Sequence, residues 1–211
     1  MTHTNHRQGT RESLSRDYVV FMYAAKGIND KDAGQKLREF LRMGYQYGPV
    51  NAGPARTGDV FLSSPEKVLE RVVRASSAYL VYDDRAKVEA LVKDVVRADL
   101  GLSVIVSGLF DEVDGICRAA GIRRHTAQCS LGVWGKIEKL PPPEILDVST
   151  MCGHGMVSFN LVQRTVMAVD KGIVSLEEAG RILARPCACG IVNPRRAQEL
   201  LKDYISKNLT K

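Results

Sequence analysis

No stretch of this 211-residue chain approaches the ~20 consecutive apolar residues that a helix needs to cross a bilayer, so no membrane-spanning helix is expected. The opening segment M-T-H-T-N-H-R-Q-G-T-R-E-S lacks the apolar core of a secretion signal, and the expectation is a cytoplasmic protein. The phosphate-cradling patterns G-x-G-x-x-G and G-K-[ST] are missing, as is the nucleophile elbow G-x-S-x-G. Nucleotide-phosphate and serine-hydrolase readings go with them. Cysteine is sparse, and its count of five is odd. Without a secretory leader, that argues against a disulfide framework and for free thiols or metal ligands. Blocks of like charge are also lacking. The formal surplus of +6 is spread among acids along helices, as in A-K-V-E-A-L-V-K-D-V-V-R-A-D. Such spreading describes solvated helix faces and argues against nucleic acid; a small anionic substrate or an acidic protein partner accounts for the surplus.

What is present suffices for a sizeable core: 45% of the residues are hydrophobic and 26% charged, inside the globular range. Residues 1–16 show no periodicity and are expected to form a flexible tail or partner-binding arm, with His3 and His6 solvated. From residue 17 the run Y-V-V-F-M-Y-A-A reads as a buried strand. A helix follows from Asn29 or Asp30 to Gly44, then an edge piece broken by Pro49, Gly53 and Pro54. G-D-V-F-L-S reads as a strand, Ser64–Pro65 as a helix start, and S-A-Y-L-V-Y as another strand. The order strand, helix, strand, strand, helix, strand predicts a ferredoxin-like β-α-β-β-α-β start. Further α-β units extend it: a helix over 83–98, the strand L-S-V-I-V-S, the helix F-D-E-V-D-G-I-C-R-A-A-G, and a last strand H-T-A-Q-C-S-L-G-V-W-G. The fold class expected for 17–140 is therefore α/β. Cys117 and Cys129 are read there as small buried core residues.

The prolines of L-P-P-P stop any element at 140–143 and mark the expected boundary of a helical, cysteine-containing module over 141–211. Cys152 lies in T-M-C-G-H-G-M, and Cys187 and Cys189 lie in R-P-C-A-C-G-I-V-N-P-R-R. A helix is expected from about Met156 to Asp170. Ser175 and Glu178 form a capping box for a short second helix, and Asn193 and Pro194 open a third. Both cysteine groups then precede helix N-termini, where free N–H groups and the helix dipole favour negative charge. Three soft ligands with His154 as a fourth suit a metal. The pairs C-x-H and C-x-C fit the C-x₂₋₄-C chelate of structural zinc poorly, whereas a 4Fe–4S cluster wants thiolates with hydrogen bonds to its sulfurs. Arg185, Arg195 and Arg196 flank the C-x-C loop as candidates to clamp a substrate carboxylate. His154, if not a ligand, is placed to act as general acid or base.

C-G-H-G followed by P-C-A-C-G-I-V-N-P resembles the three-cysteine iron–sulfur proteins with an open iron, among them aconitase-type hydro-lyases and iron–sulfur desulfidases. The resemblance covers the C-terminal module and lies in ligand number. It implies a 4Fe–4S cluster on Cys152, Cys187 and Cys189 with an open or His154-bound iron, anaerobic metabolism, and lyase or desulfidase chemistry on a small anionic substrate. Two alternatives stand beside it: an electron-transfer or accessory subunit docking an acidic redox partner, and a zinc-stabilised binding or regulatory module. Homo-oligomerisation is compatible with each. Asp111, Glu112, Arg123, Arg124, His125, Ser130 and Trp134 are expected near strand ends, where α/β folds gather ligands, and so near the same cleft.

Overall fold

A computed structural model describes residues 4–54 and 63–208. In it the run Y-V-V-F-M-Y forms β1 (Tyr18–Tyr23), apolar and buried almost throughout. A strand with no polar face cannot lie against water, and β1 is covered on both sides. Val20 and Met22 face one helical layer, Val19 and Phe21 the other.

Both edges of β1 are paired, antiparallel, with β3 (Ser77–Tyr82) and β4 (Ser103–Ser107). A short strand, β2 (Asn51–Gly53), pairs antiparallel with β3, and the four-stranded sheet runs β2-β3-β1-β4. Helix α2 (Ala33–Tyr45) connects β1 to β2, and α4 (Arg85–Ala98) connects β3 to β4. Each of these β-α-β units is thus split by a strand of the other. Together with α3 (Pro65–Arg71), started by Ser64 accepting from the Lys67 amide at 3.5 Å, α2 and α4 bury one face of the sheet around Leu37, Phe40, Val68 and Leu91. The other face carries α6 (Pro143–Ser149), α7 (Phe159–Asp170), α8 (Leu176–Ala184) and α9 (Pro194–Asn208). Val19, Phe21, Tyr79 and Val81 share a core with Val148, Val162, Leu183 and Leu201 of those helices. α5 (Phe110–Ala119) packs against α4. No helix among the described residues is long and apolar enough to cross a membrane.

The molecule is mixed α and β, with an antiparallel sheet. The expected ferredoxin-like unit within 17–82 has a different membership: Ser77–Tyr82 is the third strand of the sheet, and Ser103–Ser107 occupies the far side of β1. A strand as apolar as β1 needs a partner on each edge, and α4 carries the chain across to supply the second. The strand expected at 58–63 lies outside the described residues except for Ser63, which is in a bend.

Two further expectations are corrected. The strand expected at 125–135 is irregular and exposed, and Cys129 is exposed with it rather than in the core. Gly132 and Gly135 take positive φ (118° and 90°), which interrupts an extended run. No element runs through 140–143, as expected; Pro143 begins α6, where the missing N–H is no loss. Residues 4–16, expected as a flexible tail, pack onto the helical layer and include α1 (Arg11–Leu14), capped by Thr10. Polar bonds hold them. The Gln8 amide donates to Thr150 Oγ1 (3.0 Å), Arg7 pairs with buried Asp17 (2.5 Å), and His6 stays exposed.

Candidate metal centre

Cys152 follows α6 on a further turn, its amide donating to the Ser149 carbonyl at 3.2 Å. The chain then folds back so that the Gly155 amide reaches the Cys152 carbonyl (3.0 Å), with Gly155 at φ 69°. Cys187 sits just past α8, its amide bonded to the Ala184 carbonyl, and a turn closed by Gly190 (φ 66°) brings Cys189 round. Neither group lies at a helix start. Each occupies the loop after a helix, so the dipole argument made from sequence does not apply. Loop amides replace it: those of His154 and Met156 donate to the Cys152 sulfur, and that of Ile191 to Cys187.

The three thiols, drawn from loops on either side of the α7–α8 pair, meet. Cys152, Cys187 and Cys189 lie close enough to shift one another's acidity, and Cys189 Sγ stands 3.1 Å from His154 Nδ1. The effect is graded. Beside Cys187 and with its sulfur buried, Cys152 titrates far above an ordinary thiol. Cys187 is lowered by Cys152, but Cys189, with burial, leaves it raised. Cys189 is pulled down by Cys187 against its burial. Cys152 and Cys187 are buried, Cys189 half-buried, and all five cysteines are free thiols. Among the described residues, no group of three or more His, Cys, Asp or Glu side chains is arranged as a ready metal site. The donors suit a soft metal or cluster in kind, three sulfurs and an imidazole, with amides already turned toward the sulfurs.

The arginine clamp does not form as expected. Arg196 is only 1% exposed, and its guanidinium is spent inside the protein: on Asp17 (2.8 Å), Ser13 Oγ (2.9 Å) and the Gln8 carbonyl (2.5 Å). Arg195 binds Asp83 at 2.8 Å and holds that carboxyl below its usual range despite burial, which pushes the other way. Arg185 lies 3.8 Å from Glu178. The three arginines serve three different carboxylates.

The candidates from the first part of the chain do not join the cysteines either. Asp111 pairs with Arg11, and Glu112 accepts from Ser15 and Tyr18. Arg123, Arg124, His125 and Ser130 line a separate cavity at the open edge of β4, whose walls include Arg7 but none of Cys152, His154, Cys187 and Cys189. Trp134 is exposed to solvent. Sequence reasoning missed Asp17 and Arg7. Asp17 is gripped by Arg7 and Arg196, and Arg7 also donates to the Ile191 carbonyl (2.5 Å) beside Cys187. Their only signal was an acid set directly before a buried strand. Compared with protein-family models, curated proteins and solved structures, the chain matches none.

Proposed function

We propose that Cys152, Cys187 and Cys189 hold a 4Fe–4S cluster, with His154 at or near its fourth iron, and that the protein acts on a small anionic substrate as a non-redox lyase or desulfidase. One observation carries this: the buried Cys152 and Cys187 and the half-buried Cys189 come together from two distant loops beside an imidazole, while backbone amides serve the two buried sulfurs. A neutral thiol in an apolar core gains little from two amide donors; a sulfur bearing charge gains a great deal. The amides of His154, Met156 and Ile191 are therefore suited to a thiolate ligand. Loading would remove the thiol protons and part the three sulfurs, which the glycine-closed turn at Gly190 and the open surroundings of Gly155 allow. A bound cluster with an open iron would supply a Lewis acid. Beside it, His154 is positioned to carry a proton, and the net positive charge of the chain favours an anionic substrate. Free thiols of this kind suit a reducing, cytoplasmic setting. The interleaved sheet we read as a ferredoxin-like variant serving as platform for the cysteine-bearing helices.

Anaerobic reconstitution with iron and sulfide tests the proposal. The expected product is brown, with broad visible absorption and iron equal to sulfide; Cys187→Ala abolishes both, and Cys117→Ala, far along the chain on α5, leaves them intact. Colourless protein carrying zinc would replace the cluster by a zinc-stabilised module. A cluster that cycles reversibly by one electron and binds no substrate would instead make the chain an electron-transfer subunit.

A further inference from the structure

We propose that the cavity at the open edge of β4 binds a small amphipathic carboxylate, an acyl or aryl body ending in one anion, independently of the cysteine centre. The cavity measures about 620 Å³, within the span of sites that enclose organic ligands. Its floor is apolar: Val104 and Val106 of β4, with Leu109 and Val113. Its rim, the exposed segment 122–130, carries the cations Arg123 and Arg124 beside His125. Arg124 is partly committed, to Asp114 at 2.8 Å and over the Phe110 ring at 4.7 Å, whereas Arg123 enters no ion pair among the described residues.

The inner wall repeats the theme. Arg7 lines the cavity with its side chain 5% exposed, and its buried Nε has no hydrogen-bond partner among the described residues. A buried donor without an acceptor is costly, and a ligand oxygen would satisfy it. Asp17, the one acid in the lining, is already paired with Arg7 and Arg196, so no free carboxylate of the lining opposes a ligand anion, and Arg123 faces it without an ion-pair partner among the described residues. Apolar floor and cationic rim together select a molecule with both characters. A polar polyanion would leave the valines wet, and an apolar molecule without charge would leave Arg123 and the Arg7 Nε unpaired.

Titration calorimetry on the intact chain compares decanoate with decanol and decylammonium, which share its apolar length. Decanoate is expected to bind one per chain, about tenfold or more tighter than decanol, the worth of one charge-assisted hydrogen bond. Arg123→Glu, on an exposed residue, should keep the circular dichroism spectrum, weaken decanoate about tenfold and leave decanol alone. Val106→Trp, filling the floor, should remove both; if that variant does not fold, Arg123→Glu decides. Decanoate binding no tighter than decanol, an unchanged affinity in Arg123→Glu, or no saturable binding at all would overturn the proposal. Cluster content is read separately and is expected to be indifferent to these variants.

Discussion

Arg196 occupies the first turn of a helix, where a cation opposes the dipole, and a sequence offers every reason to leave it in water. Burial against Asp17 reverses that. A guanidinium that has lost its hydration must have all its donors answered, and Ser13, Asp17 and the Gln8 carbonyl answer them. Arg196→Met keeps the apolar length but leaves Asp17 with Arg7 alone, and should cost about 3–5 kcal/mol in urea unfolding. A loss below about 1 kcal/mol would mean the network is incidental. Asp147, on α6, shows the opposite case. Burial, helped by nearby Glu144, raises its carboxyl above the usual range although Arg196 pulls it down. With the folded value above the unfolded one, its contribution is favourable below the ordinary carboxylate range and is lost as pH rises through the folded value. Asp147→Asn should therefore raise the melting temperature at neutral pH, and the gain should vanish on acidification below the ordinary aspartate range. A gain that persists in acid would assign the effect to something other than titration.

Elements were legible where a local signal fixed them. Ser64 and Ser175 accept from the third amide of the helices they were expected to start, and Asn193 does so for α9 (3.0 Å to the Arg196 amide). The apolar runs at 18–23 and 77–82 became the buried inner strands, and the run at 103–107 a half-exposed edge strand. Residues 125–135 misled because alternation promised a strand while Gly132 and Gly135 broke the backbone, and α6 was hidden behind prolines, the last of which is its first residue. The contact between α8 and α9, which brackets the C-x-C loop, depends on a residue the sequence did not single out. A side chain at Gly180 would place its Cβ 2.7 Å from the Pro194 carbonyl oxygen, and Gln198 stands almost as close. Backbone cannot yield there as a flexible side chain could. Gly180→Ala should cost about 1–3 kcal/mol of stability despite its better helix propensity, and should slow or reduce loading of the proposed cluster. A more stable variant would show that the two helices can part freely.

At the scale of the whole molecule, the N-terminal segment, the sheet and the cysteine loops are joined through ties between residues far apart in sequence, which is why no local pattern revealed them. The two glycine-rich loops that bring Cys189 to His154 were legible; the Arg7 and Asp17 contacts that hold the second loop were not, being ion pairs and carbonyl bonds across nearly the full chain. Arg7 reaches the Ile191 carbonyl, and the Ile191 amide in turn serves the Cys187 sulfur. Local opening of that loop should therefore be governed from the opposite end of the chain. Arg7→Ala removes the tie while leaving Asp17 its bond to Arg196. Losing a charged hydrogen bond worth about 1.5–3 kcal/mol should speed labelling of the buried Cys187 by an aromatic disulfide reagent about tenfold or more, with the far-ultraviolet spectrum unchanged. Cys129, exposed already, supplies the internal standard, since its labelling should be fast in both proteins. An unaltered Cys187 rate would show that the loop is closed by its own turn at Gly190, and that the N-terminal segment merely lies against it.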